Sequence, residues 1–325
     1  MSLRQLTPEV AGTVGGLFGV LVVASAVVGL LRWRRSTSDF TELRQRVNTW
    51  WVMVAVFSLA LAVGRGVSLV FFAFGSFLAF KEYLSMIPTR RADRRPLFWA
   101  YLAIPLQYLW VYLEWYGMFI IFIPVYCFLL VPVRMLSIGD TKGYLRATGT
   151  IHWGLMTTVF SMSHAAFLLV LREASEPEAM SGPGLVLFLV VLTQANDVAQ
   201  YLWGKSIGGV KILPTVSPGK TWAGFLGGLV TTIALGCLLG PYLTPMSLGQ
   251  SIVAGAIIGA GGFFGDVNLS ALKRDLGMKD SGTLLPGHGG ILDRLDSLTY
   301  TAPLFFHFVY YLFVWQTYGA SGVIR

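Results

Sequence analysis

The sequence is poor in charge. Asp, Glu, Lys and Arg make up 12% of its 325 residues, against 55% hydrophobic residues. A soluble domain carries roughly 25% charged residues, so about half of the charge needed to face water is missing. That shortage excludes a soluble enzyme, a nucleic-acid-binding domain and a disordered tail. It leaves an all-α, polytopic membrane protein. Cysteine is scarce too: Cys127 and Cys237 both lie inside apolar runs, which excludes a disulfide framework and a cysteine metal site. Both read as small apolar fillers.

Long hydrophobic runs are plentiful. They occur near 10–31, 47–63, 66–80, 96–113, 117–133, 151–171, 184–203, 221–240, 250–269 and 301–318. A helix needs about 20 apolar residues to cross the hydrocarbon core. The expectation is a bundle of about ten transmembrane helices, with eight as the fallback if the 47–80 pair is a re-entrant hairpin around Gly64-Arg65-Gly66. Ala24-Ser25-Ala26 resembles a signal-peptidase site, but only Arg4 precedes the run and Arg32, Arg34 and Arg35 follow it. That order suits a retained span with its N-terminus outside.

The net charge of +8 is distributed by side. Twenty of the 24 basic residues fall in loops after the odd-numbered spans, leaving Arg4, Arg65, Arg172 and Arg325 opposite. This positive-inside asymmetry places both termini outside and the basic loops in the cytoplasm. Residues 173–178 of an outer loop carry Glu173, Glu176 and Glu178. Glycine pairs at four-residue spacing, Gly12/Gly16, Gly224/Gly228 and Gly255/Gly259, predict close helix contacts in lipid.

Polar residues interrupt two spans near their cytoplasmic ends, where ionisable groups are costly and commonly functional. Thr193, Asn196, Asp197 and Gln200 share one helical face, as do Asp266, Ser270 and Lys273 with Arg274 beside it. For Asn196 and Gln200, gluing helices together is as good a reading as chemistry. Between these spans, Ser217-Pro218-Gly219-Lys220-Thr221 opens the eighth. Ser217 is expected to cap that helix with Pro218 at its first position. Free N–H groups there, with a lysine and hydroxyls, suit a phosphate.

The densest region runs from Asp266 to Ser297. It contains Ser270, Lys273-Arg274, Lys279-Asp280, Pro286-Gly287-His288-Gly289-Gly290, Asp293-Arg294 and Asp296. Glycines around His288 permit close backbone approach to an anion. Carboxylates for hard cations, with lysine and arginine for phosphate oxygens, are the equipment of phosphoryl or nucleotidyl transfer.

These residues resemble the signature of the phosphatidate cytidylyltransferases, or CDP-diacylglycerol synthases. That pattern reads S-x-x-K-R, four residues, K-D, then P-G-H-G-G-x-x-D-R-x-D. The likeness extends upstream to Asp197 with Ala199, Gly204-Lys205 and Ser217-Pro218-x-Lys220-Thr221, so it covers roughly 190–300. Two departures suggest a divergent branch: Ala223 stands where the family often has Glu, and Gln200 intervenes before Tyr201. A natural division follows, with transmembrane spans one to six in 1–183 and the catalytic region in 184–325.

The resemblance implies transfer of CMP from CTP to phosphatidate, giving CDP-diacylglycerol and pyrophosphate. It implies Mg²⁺ on Asp266 and Asp293, with Asp296 as a further or outer carboxylate, in a paired site with a second cation such as K⁺. Lys220, Lys273 and Arg274 would neutralise substrate phosphates, and Lys279 would add to substrate binding. Asp197, Ser217, Ser270, His288, Gly289 and Gly290 would also bind substrate, His288 by orienting the loop. Arg294 would face phosphate or pair with an aspartate. The implied setting is the inner membrane, as a homodimer, with the site on the cytoplasmic side and no nucleic acid. Two other classes stay in view: a CTP-dependent kinase of a polyprenol-type lipid alcohol, and a transporter with Asp197 and Asp266 lining its path.

Overall fold

The computed structural model describes residues 7–34, 40–88, 94–137, 139, 141–171, 180–282, 284–285, 287 and 289–315. His288, Pro286 and the glutamates at 173, 176 and 178 lie outside the described residues.

Each apolar run folds as a helical rod. The first five are α1 (Pro8–Arg34), α2 (Thr41–Val63), α3 (Arg65–Met86), α4 (Arg94–Tyr112) and α5 (Tyr116–Leu136). The others are α6 (144–168), α7 (Gly182–Ile207), α8 (Trp222–Leu243), α9 (Leu248–Asp275) and α10 (Leu292–Trp315). Eight of the ten are long and apolar enough to cross a membrane; α4 and α6 are the two outside that group. The number eight therefore stands on a different pair from the one expected. The 47–80 segment forms two full rods of 23 and 22 residues, turned at Gly64 with φ 134°. Polar content dilutes α4 and α6 instead, through Arg94 and Arg95 and through His152, Thr157, Thr158, Ser161, Ser163 and His164.

Local chemistry sets the helix ends. Ser181 Oγ accepts the Gly184 N–H at the start of α7, and Ser247 forms a reciprocal box with Gln250 at the start of α9. At α8 the cap is Thr221, whose Oγ1 accepts the Gly224 N–H at 3.0 Å. This corrects the expected Ser217 cap. Ser217 sits in a preceding turn, where its carbonyl accepts the Lys220 N–H, and Lys211 pairs with Thr221 to close the loop. The helix begins four residues later than the Pro218 signal suggested. Prolines and π-helical turns interrupt the regular hydrogen-bond ladder elsewhere, as at Phe122–Cys127, which contains Pro124.

One apolar core joins the rods, from Val10 in α1 to Val314 in α10. The most apolar stretch of α7 is 56% buried and that of α1 only 6%. The polar stripe of α7 thus faces other helices, whereas α1 lies on the rim. Two of the three glycine pairs make the close contacts expected of them. A Cβ on Gly228 would lie 2.4 Å from Gln200 Cγ, and one on Gly255 2.8 Å from Ile233 Cα. Gly12 meets the Tyr242 hydroxyl, but Gly16 faces open space. At one end of the bundle Arg65 pairs with Glu114, tying the α2–α3 corner to the α4–α5 corner. The polar motifs gather at the other end.

Candidate active site

Four segments converge there: the C-terminal halves of α7 and α9, the loop entering α8 and the first turn of α10. Asn196 holds the framework behind them. Its Nδ2 donates to Gly259 O of α9 at 3.1 Å, while its Oδ1 accepts Thr232 Oγ1 of α8 at 3.1 Å. This is the helix-gluing role, and Thr193 adds a 3.0 Å contact to Thr301 of α10. Gly265 removes side-chain bulk from α9 where it meets the backbone of Asp296 and Ser297.

Two lysine–carboxylate contacts occupy the convergence. Lys220 Nζ lies 2.5 Å from Asp266 Oδ2 and donates to Gln200 Oε1 at 2.9 Å. Ser270 Oγ donates to the other oxygen of Asp266 at 3.2 Å. Twenty residues after Lys273, Asp293 accepts its Nζ at 2.7 Å. Asp293 Oδ2 also accepts the backbone N–H groups of Ser281 and Gly290, at 2.9 and 3.0 Å. The Lys273 and Asp293 side chains are 13% and 7% exposed. Removing either partner would therefore strand a charge in a poorly solvated place, a far larger effect than in a surface pair.

Asp197 and Asp296 complete the acidic set. Asp197 Oδ1 accepts Ser297 Oγ at 2.9 Å, and Asp296 Oδ1 accepts the Ser297 N–H at 2.7 Å. Asp197, Asp266 and Asp296 lie within electrostatic reach of one another, with Lys220 and Arg294 acting on Asp197 and Lys273 on Asp296. Arg294 Nε is buried without a hydrogen-bond partner among the described residues.

Other expected site residues sit further out. Arg274 is exposed and donates to the carbonyls of Val216 and Met278, bracing the α7–α8 loop against α9. Lys279 is exposed, and Ser217 lies half-buried in its turn. Gly289 has φ 80° and its carbonyl accepts the Leu285 N–H, so the loop closes on itself there. A Cβ on Gly289 would lie 2.7 Å from Asp293 Oδ2.

As the side chains stand, no three His, Cys, Asp or Glu residues among those described form a ready metal cage. The donor set is nevertheless of the right chemistry for Mg²⁺. That ion is commonly held by one or two carboxylates together with substrate phosphates, keeping several waters. Neighbouring carboxylates on Asp197, Asp266 and Asp296 offer hard oxygens and repel one another unless a positive charge joins them.

Sequence reading missed four contributors: Ser281, Ser297, Arg46 and above all Glu82. Glu82 lies near the end of α3, far from the motif in sequence, yet its Oε2 accepts the Ile291 N–H at 2.7 Å and its Oε1 accepts Ser281 Oγ. A carboxylate in the last turn of an apolar span was the available signal. Arg46 of α2 likewise donates to Gly287 O at 3.2 Å.

Comparisons with known proteins identify the family. Residues 44–312 match the Cytidylyltransferase family. The chain is 45% identical over 295 residues to "Uncharacterized protein YnbB" of Escherichia coli K12, covering 91% of this chain and 96% of that protein. It is 39% identical over 133 residues to a phosphatidate cytidylyltransferase of Haemophilus influenzae, covering 39% of this chain and 46% of that protein. A chloroplastic phosphatidate cytidylyltransferase of Arabidopsis thaliana matches at 38% over 186 residues, 56% of this chain and 40% of the other. The chain thus spans less than half the length of these two named enzymes. With a family match running through nine of its ten rods, and the motif carboxylates and lysines gathered at one end, this helical membrane protein belongs to the cytidylyltransferase family of nucleotidyltransferase enzymes.

Proposed function

We propose that the protein is a phosphatidate cytidylyltransferase, transferring CMP from CTP to phosphatidate with release of pyrophosphate. The observation that carries this reading is the pair of contacts Lys220–Asp266 and Lys273–Asp293 where α7, α9, the loop entering α8 and the start of α10 meet. Lysines held by carboxylates are positioned before any anion arrives. The activity named for the Haemophilus and Arabidopsis relatives supports the same reading.

In this reaction a phosphatidate oxygen bonds to the α-phosphorus of CTP, and the bond from that phosphorus to the pyrophosphate oxygen breaks. A phosphomonoester with a second pKa near 6 is mostly dianionic at neutral pH, so no protein base need deprotonate it. The task is to bring two anions together and stabilise the leaving group. Lys220 and Lys273 supply fixed positive charge for that, and Ser270 supplies a hydroxyl donor. Asp266 and Asp296, with Asp293 behind Lys273, are the carboxylates assigned to Mg²⁺ and a second cation such as K⁺. When bound, such cations would draw charge from the phosphoryl oxygens and the departing pyrophosphate. The positive-inside pattern supports a site on the cytoplasmic face of the inner membrane, where CTP and the lipid headgroup meet.

Labelled CTP tests the reading. Purified protein with Mg²⁺ and phosphatidate is expected to move cytidine label into lipid. Terminal-phosphate label in a lipid alcohol would replace this reading with a kinase. Solute flux in proteoliposomes without CTP would point to a transporter.

A further inference from the structure

Glu82 is the one acidic side chain of the first six rods that reaches the motif loop among the described contacts. Its carboxylate enters the loop at its base, between the incoming chain at Ser281-Gly282 and the outgoing chain at Gly290-Ile291. It accepts Ser281 Oγ with one oxygen and the Ile291 N–H with the other. Ile291 is the residue that precedes the short turn Leu292–Leu295, which carries Asp293. Asp293 in turn accepts the N–H groups of Ser281 and Gly290. Two carboxylates therefore close the base of the same loop, one from α3 and one from α10.

The glycines on each side record how closely Glu82 is held. A Cβ on Gly290 would fall 1.4 Å from Glu82 Oε1, and one on Gly282 3.0 Å from the same atom. Gly290 lies outside the positive-φ glycines. Its backbone therefore tolerates alanine, and the obstacle is the occupied space, chiefly the Glu82 carboxylate with the Ser281 hydroxyl 2.3 Å away.

We propose that Glu82 is a positioning residue for the transfer reaction, locking the loop base so that Asp293 meets Lys273 and Asp296 faces Asp266. This inference rests on the proposed cytidylyltransferase reading for its kinetic consequence, but its structural consequence is independent of it. Glu82 acts through the Ser281 hydroxyl and the Ile291 N–H and touches no reacting atom.

The test uses the full chain in detergent, with Glu82→Ala, Glu82→Gln, Gly290→Ala and the Glu82→Ala/Gly290→Ala double variant. Hydrogen exchange of the peptide covering 279–295 comes first, because it needs no substrate. Glu82→Ala is expected to lose protection there while the rods keep theirs, and Glu82→Gln, which keeps an acceptor for Ile291, is expected to retain most of it. In the CTP assay, loss of this half-buried carboxylate acceptor is expected to lower kcat about 10- to 100-fold in Glu82→Ala, with Glu82→Gln restoring most of it. Gly290→Ala is expected to cost less in the Glu82→Ala background than alone, since the carboxylate that blocks its methyl group is gone.

Unchanged exchange in Glu82→Ala would overturn the proposal. So would a Gly290→Ala penalty identical in both backgrounds, or protection lost across all rods in both Glu82→Ala and Glu82→Gln, which would mark a general folding role. If the wild type makes no CDP-lipid, the function reading fails, and the exchange data still decide the role of Glu82 in holding the loop.

Discussion

Asp293 concentrates the chemistry of the site in one side chain. It holds Lys273 with one oxygen and two backbone N–H groups with the other. Asp293→Asn keeps the shape but removes the charge facing Lys273, and CTP-dependent turnover is expected to fall roughly 100-fold or more, a magnitude typical of losing one preorganised electrostatic contact. Activity near that of wild type in this variant would remove Asp293 from the machinery. Asn196 is different in kind, because both ends of its amide are satisfied by other helices. Asn196→Leu is expected to lower unfolding stability by about 1 kcal/mol, the scale of interhelical hydrogen bonds in membranes, as read by denaturant titration in mixed micelles. The sequence shows Asn196 as a polar interruption of an apolar run and Asp293 as one carboxylate of the polar motif. Only their partners separate a carboxylate set against a lysine from an amide that ties three helices.

Among the elements, the start of α8 gives the sharpest contrast between local signal and outcome. Ser217-Pro218 has the form of a helix start, but the chain first closes a small loop through the Lys211–Thr221 pairing. Thr221→Ala should therefore destabilise the helix start by about 1 kcal/mol, and Ser217→Ala should leave it unchanged; thermal midpoints of the two variants check this. The α7–α8 contact is equally specific. Gly228→Leu would drive a side chain into Gln200, whose Oε1 accepts Lys220. It is expected to reduce turnover together with stability, whereas Gly16→Leu, facing open space, should alter neither.

The whole molecule is an alternating bundle whose two ends differ. One end carries the Arg65–Glu114 contact and the other the motif. Cysteines placed at Lys211 and Leu113 should react with a membrane-impermeant maleimide from opposite sides, Lys211→Cys only after the cytoplasmic face is opened. Labelling of both from the same side would overturn the assigned orientation. Removal of divalent cations with EDTA is expected to abolish CDP-lipid formation, with Mg²⁺ restoring it. Turnover that persists in EDTA would free Asp266 and Asp296 from the metal assignment. At this scale the first six rods cease to be a mere anchor, since Arg46 and Glu82 both grip the motif loop.

The sequence by itself determined the membrane character, the helical rods and the chemistry of the C-terminal motif. Hydrophobic run length, charge asymmetry and the identity of clustered polar residues are local properties that no distant contact can alter. Tertiary structure decided which carboxylate meets which lysine, where α8 begins, and that a glutamate from α3 closes the loop before Asp293. Those outcomes depend on distances between segments remote in the chain. Glu82 and Ile291 are separated by more than half the sequence, and only packing brings the carboxylate within 2.7 Å of that N–H.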